Sequence, residues 1–242
     1  MTTTEGRASA AQGRTASQGL RAFFGSDVGL KWLMALTGIG LLLYVLAHML
    51  GNLKIYFGAE EINTYGEALR DLGGHLVPRT HLLWIMRLGL IAAFGIHIYA
   101  AYYLSFRNRK ARSKVDYHER HYTAANFASR TMRWTGTIVL LFLIYHLADL
   151  TWGFANPDFQ RGDIYDNIVA SFSRTPVAVL YIVAQAFLAV HIFHGAWSMF
   201  QSLGFSDDRY NEWRRWFAAV FAFVIFIGNS SIPLSVQLGI IN

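Results

Sequence analysis

The stretch Leu180–Gly204 reads LYIVAQAFLAVHIFHGAWSMFQSLG, a long apolar segment with two histidines inside it. It exceeds the roughly 20 apolar residues that an α-helix needs to cross about 30 Å of hydrocarbon. Ionisable side chains at membrane depth are costly and usually face a bundle interior or a cofactor. The segment therefore predicts a membrane-spanning helix that turns His191 or His194 toward a functional site.

Four further apolar stretches have comparable length, and three of them carry one histidine at comparable depth, namely His48, His97 and His146. The chain is 54% hydrophobic and 15% charged, which is too apolar for a soluble domain. The sequence predicts an all-α membrane protein, a bundle of five transmembrane helices. The predicted spans are Trp32–Gly51, His81–Phe106, Trp134–Phe154, Pro176–Leu203 and Trp216–Leu238. The last has no histidine and is expected to pack at the periphery.

The basic residues predict the orientation of the spans. Of 21 Lys and Arg residues, 15 fall in segments that lie on the same side if the N-terminus is cytoplasmic. This positive-inside bias predicts a cytoplasmic N-terminus and an outside C-terminus in a multi-pass protein of the cytoplasmic (inner) membrane. It also accounts for the net charge of +6 without nucleic acid as a partner.

Two domains follow from the hydropathy pattern. Residues 1–28 lack the apolar core of a signal peptide and are expected to form a cytoplasmic tail, and residues 29–242 the transmembrane anchor. Within the tail, Ser17–Asp27 is either a short helix on the membrane surface or disordered. Outside, Ile62–Leu72 has helical spacing and ends at a Gly-Gly pair, so it is expected to lie flat over the bundle.

The densest basic segment, Arg107–Arg133, attracts either anionic lipid or an acidic face of a soluble partner. A charge run alone does not separate these two uses. His75, His118 and His121 lie in polar segments between spans and are poor ligand candidates.

Depth along the spans sorts the histidines into two levels. His48 and His146 lie about 25 and about 20 Å from the inner ends of their helices, which predicts an outer pair. His97 pairs at the inner level with either His191 or His194. The chain has no cysteine, so a metal would be held by histidine, carboxylate or a partner's residues. Two bis-histidine sites in a helical bundle are typical of b-type haem.

Arg87 lies within the second span, ten residues before His97. A cation at that depth needs an anion, such as a haem propionate or a carboxylate of the outer loop. The alternative is an arginine whose guanidinium reaches out to the interface.

Three motifs resemble the succinate dehydrogenase cytochrome b558 subunit family, the single-chain, five-helix membrane anchors of respiratory complex II and of related fumarate reductases. They are HMLGNLKIYFGAEEINTYGEAL from His48, SRTMRW at Ser129–Trp134, and HIFHGAWSMFQSLG at His191–Gly204. The last is the most specific, and the similarity extends from about residue 24 to the last helix.

The resemblance implies two b haems with His48, His97, His146 and His191 as ligands, which selects His191 over His194. It implies a membrane subunit of succinate dehydrogenase that takes electrons from an iron–sulfur subunit and reduces a quinone, either menaquinone or another quinone. The dicarboxylate chemistry would lie on partner subunits, the flavoprotein among them, and no residue of this chain is expected to be catalytic. The basic inner loop would then contact the iron–sulfur subunit.

The quinone could bind near the inner face, at Lys31, Arg130, His194 or Ser198, or at an outer site where Glu67 handles protons. Two alternatives stay open. One is a redox-inactive membrane tether for a soluble enzyme, and the other is an anchor with a non-haem metal at one histidine pair. A transporter is disfavoured because the spans show neither broken repeats nor a chain of intramembrane carboxylates.

Overall fold

The computed structural model describes residues 16–112, 124–205 and 207–242, and these contain helices and no strand. Five helices among the described residues are long and apolar enough to cross a membrane. The membrane-spanning segments are Asp27–Phe57, His81–Lys110, Thr131–Leu150, Thr175–Ser202 and Asn211–Gln237. The predicted all-α, five-span architecture is confirmed, while the side on which each terminus lies stays a prediction.

In chain order the helices are α1 (Ala16–Phe24), α2 (Asp27–Asn52), α3 (Ala59–Ala68), α4 (His81–Arg112), α5 (Ala124–Leu150), α6 (Ile164–Ser173), α7 (Thr175–Ser202) and α8 (Asn211–Gln237). Short 3₁₀ turns cover Leu53–Phe57 and Asp208–Tyr210. Of the two readings of Ser17–Asp27, the helix is the one observed, as α1.

Several boundaries differ from the sequence prediction. The first span begins at Asp27 because the Ser26 side chain accepts a hydrogen bond from the Gly29 amide and caps the helix. The third span ends at Leu150, before Gly153, whose φ of 78° departs from a helix.

The surface helix expected over Ile62–Leu72 is α3, which covers Ala59–Ala68 instead. The sequence analysis treated the segment after the third span as an outer loop, but it contains α6.

The five long helices are packed unevenly. Helix α7 makes its most extensive contact with α8, and it also packs on α5 and α2. Helix α4 packs against α2, while its contact with α5 is slight among the described residues and includes a hydrogen bond between the Tyr102 and Thr137 hydroxyls at 2.7 Å. A gap is therefore left between α4 and α5, with α2 and α7 beside it. Helix α8 lies on the far side, against α7, α2 and α6.

Helices α3 and α6 form a lid across one end of the bundle, called here the α3–α6 end. Asn63 of α3 joins them, because its Oδ1 accepts hydrogen bonds from the backbone amides of Ile164 (2.8 Å) and Tyr165 (3.1 Å) at the start of α6. Asp163 caps α6 by accepting from the Asp166 amide at 3.0 Å. Beneath the lid lies a buried apolar cluster that includes Ile62 and Phe172.

Candidate functional site

The structure brings four of the predicted histidines together in two pairs, each across two helices. The rings of His97 (α4) and His191 (α7) have centroids 6.5 Å apart and planes at 73°. The rings of His48 (α2) and His146 (α5) have centroids 5.8 Å apart and planes at 83°. Depth along the spans predicts His48 with His146 and leaves His191 and His194 open as the partner of His97. The residue that the structure sets beside His97 is His191.

The separation of His97 and His191 matches that of two imidazoles that bind one metal, and the separation of His48 and His146 is about 0.6 Å shorter. Such rings have centroids about 6.4 Å apart, because each metal–nitrogen bond is about 2.0–2.1 Å and each ring nitrogen lies about 1.1 Å from its centroid. No group of three or more His, Asp or Glu side chains suited to a metal occurs in the described parts of the chain. Each pair could therefore supply two imidazole nitrogens to a metal, whose other ligands would have to come from another molecule.

Two threonines contact the first pair from neighbouring helices. His97 Nδ1 lies 3.1 Å from the Met34 carbonyl oxygen and 3.3 Å from Thr37 Oγ1, both on α2. His191 Nδ1 lies 3.3 Å from Thr135 Oγ1 on α5. A carbonyl oxygen only accepts, so His97 Nδ1 carries the proton and its Nε2 keeps a free lone pair. That is the nitrogen available to a metal.

Glycines next to these threonines let the rings approach the helix backbone. A Cβ built on Gly38 would lie 3.3 Å from His97 Cε1, and one on Gly136 would lie 3.2 Å from His191 Cε1. Both distances are tighter than ordinary carbon–carbon contact. The absence of a side chain at these two positions thus defines the place of each ring.

The second pair has different surroundings. The His48 ring is stacked on Tyr44 with centroids 5.5 Å apart, and its Nε2 lies 3.3 Å from Asn52 Nδ2. The His146 ring is enclosed by Phe142 and Tyr181, each with its centroid 5.9 Å away. His146 Nδ1 is buried and has no hydrogen-bond partner. This buried nitrogen is an unsatisfied polar atom at the edge of the gap between the helices.

Arg87 lies at the level of the second pair. Helices α2 and α4 are antiparallel, and Thr37 is level with His97, so helix rise sets Arg87 opposite His48. Its guanidinium lies over the Trp84 ring, 5.1 Å from the centroid. Arg87 is exposed in this chain rather than buried, and it forms no ion pair with a described residue. An anion at this level would therefore meet a free cation.

A buried ionic network adjoins His146, and sequence reasoning missed it. Asp149, 0% exposed, accepts from Arg174 (2.8 Å), from Tyr181 (2.8 Å) and from Ser171. Arg174 also donates to the Ala155 carbonyl at 2.7 Å. The network fixes the end of α5 to α6 and α7, and through Tyr181 it borders the His146 ring.

The residues predicted for a quinone do not gather in one place. Glu67 lies on α3 and is held by ion pairs to Arg70 (2.8 Å) and Arg79. Ser198, near the other end of α7, donates to the Gly195 carbonyl at 3.1 Å. Lys31 is exposed at the start of α2.

His194 follows His191 by three residues, and its buried Nδ1 has no partner. The Arg130 side chain lies outside the described residues, as does most of the basic loop between α4 and α5. Glu67 on α3 and Ser198 near the end of α7 lie at opposite ends of the bundle, so the two alternative quinone sites stay predictions.

Thr135, Gly136 and the Asp149 network were the functional candidates that sequence reasoning missed. A signal for the first two exists, because Met34–Gly38 (MALTG) and Met132–Gly136 (MRWTG) share the pattern Met-x-x-Thr-Gly. In each case a ligand candidate follows ten residues later, His48 after Gly38 and His146 after Gly136.

Comparison with known proteins identifies the family. The family described as succinate dehydrogenase/fumarate reductase transmembrane subunit matches residues 107–228, half of the chain. No curated protein and no solved structure matches the chain. With five membrane-spanning helices and this match, the chain belongs to the family of succinate dehydrogenase/fumarate reductase transmembrane subunits.

Proposed function

We propose that this membrane subunit carries electrons between an iron–sulfur subunit and a membrane quinone through two b haems. His97 and His191 would bind one haem, and His48 and His146 the other. The observation that supports the proposal is the pair of imidazole separations, 6.5 and 5.8 Å, compared with about 6.4 Å for two imidazoles that bind one metal. Haem iron, when bound, gains and loses single electrons.

The side chains around the pairs have definable tasks. Thr37, Thr135 and the Met34 carbonyl orient two of the rings, and Gly38 and Gly136 admit them close to the helix backbone. Arg87 supplies a positive charge at the level of His48 and His146, suited to a propionate. A flat cofactor held by the histidines would lie beside the gap between α4 and α5, where the helices make little contact with one another.

The partners follow from the family and from the charge distribution. The basic segment between α4 and α5 would dock the iron–sulfur subunit, and the flavoprotein would complete the complex. The quinone, menaquinone in this proposal, would bind near Lys31, Arg130, His194 and Ser198, or at the α3–α6 end near Glu67. The positive-inside bias supports a place in the cytoplasmic membrane with the N-terminus inside.

The test is haem content and its loss in paired variants. A pyridine haemochrome assay on the purified complex should give about two haems b per chain. His97→Ala and His191→Ala should lose one and the same haem, as judged by the reduced spectrum, and His48→Ala and His146→Ala the other. His194→Ala, a neighbouring histidine outside both pairs, is the matched control and should keep both.

Three results would contradict the proposal in different ways. If a histidine variant of either pair kept both haems but lost quinone reduction completely, that histidine would not be a haem ligand, and haem binding would be separate from electron transfer. Iron without haem, beyond the partner's clusters, would favour a non-haem metal at one pair. No haem and no additional iron, with quinone reduction intact in all four variants, would favour the redox-inactive tether.

A further inference from the structure

We infer that Thr37 and Thr135 are positioning residues, which hold His97 and His191 as the Nδ1–H tautomer and so direct both Nε2 atoms toward one metal. The inference rests on the proposed haem function. It concerns two side chains that touch the ligands and not the iron.

The hydrogen bonds of Thr37 fix its role. Its hydroxyl donates to the Leu33 carbonyl at 2.6 Å, within α2. The proton is therefore committed to the helix, and the oxygen lone pair faces His97 Nδ1 at 3.3 Å as an acceptor. Together with the Met34 carbonyl at 3.1 Å, it gives Nδ1–H two acceptors. Nε2 is then left without a proton.

Thr135 repeats the arrangement on α5. Its hydroxyl donates to the Thr131 carbonyl at 2.9 Å, and its oxygen faces His191 Nδ1 at 3.3 Å. The residue is buried, at 5% exposure, so water does not compete for that oxygen. A histidine that ligates a metal almost always gives its other N–H to a hydrogen-bond acceptor, which fixes the ring and makes it a stronger donor to the metal.

The other histidine pair lacks this arrangement. His146 Nδ1 has no partner, and the contact of His48 is to the Asn52 amide at Nε2. A threonine acceptor is thus found at the His97–His191 level and not at the His48–His146 level. The threonine contacts mark the His97–His191 level as the one whose tautomers are set before any metal is bound.

Thr37→Val and Thr135→Val test the inference, since valine keeps the shape and removes the acceptor. Full-length, haem-loaded protein would be examined by low-spin electron paramagnetic resonance, redox titration and haem retention in detergent. Each variant should shift the g-values of one haem, raise its midpoint potential and weaken its retention. The loss of retention should be about tenfold in Thr135→Val and smaller in Thr37→Val, because the Met34 carbonyl still accepts from His97 Nδ1. The potential rises because an imidazole without that acceptor donates less charge to ferric iron.

Three controls keep the result specific. Thr37→Ser and Thr135→Ser retain the hydroxyl and should match the wild type, which also covers the case in which a valine variant accumulates poorly. Thr137→Val removes a hydroxyl that bonds the Arg133 carbonyl and Tyr102 but no histidine, and it should leave both haems unchanged.

The outcomes separate the two proposals. If the wild type carries both haems and the valine variants keep wild-type g-values and potentials, this inference is wrong and the haem function stands. If the wild type carries no haem, the proposed function is wrong, and this inference falls with it.

Discussion

Arg174 donates a hydrogen bond from Nη2 to Oδ1 of Asp149 at 2.8 Å, and the carboxylate is completely shielded from solvent. Removing one partner of a buried ion pair leaves an uncompensated charge, which typically costs about 3–5 kcal/mol. We expect Asp149→Ala to lower the free energy of unfolding by about 2–3 kcal/mol, measured by denaturant titration in detergent, because the Arg174 side chain left unpaired is 31% exposed and partly solvated. Asp158→Ala, at an exposed position of the same loop region, is the control and should change it by less than about 0.5 kcal/mol. Equal losses of stability in Asp149→Ala and Asp158→Ala would contradict a stabilising role for the Asp149 network.

Gly38→Ala should reduce haem binding at the His97–His191 level. The new Cβ would lie 3.3 Å from His97 Cε1, so the ring would have to move away from α2. Gly40→Ala is the matched control on the same helix, because a Cβ there meets nothing within 4 Å. Both changes favour the helix by about 1 kcal/mol, so propensity cancels in the comparison.

The measurement for the glycine pair is haem content from the reduced optical spectrum. Gly136→Ala, whose Cβ would lie 3.2 Å from His191 Cε1, should affect the same haem as Gly38→Ala. Full haem occupancy in both variants, equal to that of Gly40→Ala, would show that the rings tolerate displacement.

Gly29→Ala should displace α1 from the start of α2. Its Cβ would lie 2.0 Å from the Phe23 carbonyl oxygen, and backbone atoms move only with their helix. Overpacking of this kind typically costs about 1–3 kcal/mol. Hydrogen–deuterium exchange should become faster over residues 16–24 and stay unchanged in α7. In Gly19→Ala, whose Cβ has open space, α1 should exchange no faster than in the wild type, because alanine favours the helix.

The Asp163 cap should make the α3–α6 end sensitive to acid. The Asp166 backbone amide, which donates to Asp163, lowers the pKa of that carboxyl below its ordinary value of 3.8. A lowered pKa in the folded state stabilises the protein at pH values well above 3.8, and this stabilisation is lost as the pH falls through the lowered pKa. The Asp163 charge in turn raises the pKa of Asp166, which acts in the opposite sense.

Asp166→Asn removes that opposing group, so the measurement is made in this background. As the pH is lowered from 6 to 3, the midpoint temperature of unfolding should decrease more in Asp166→Asn than in the double variant Asp163→Asn/Asp166→Asn. Parallel pH profiles would show that the cap does not depend on the Asp163 charge.

The five spans and the histidine pairs could be predicted because hydrophobic length and depth along a helix are properties of the sequence itself. Depth along the helix could not decide between His191 and His194, since residues three apart share a helix face. The structure sets His191 opposite His97. Thr135 was missed because a threonine in a helix commonly bonds its own preceding carbonyl, so one occurrence carries no signal.

Contacts between distant segments account for most of the rest. Arg174 lies in the short link between α6 and α7, and the residues next to it in the sequence do not indicate a partner on α5. Helix α6 escaped prediction because it is short and follows a stretch rich in Gly, Asp and Pro, although Asp163 at its start is a usual capping residue. The capping residue Ser26 likewise explains the early start of α2.

The bond between Asn63 and the first amides of α6 also sets an order of events during synthesis. Asn63 leaves the ribosome long before Ile164, which follows it by 101 residues. At a translation rate of about 5–20 residues per second, α6 is synthesised roughly 5–20 s after α3. The first two spans are thus made while that end is still uncovered, and the lid closes only after the third span has emerged.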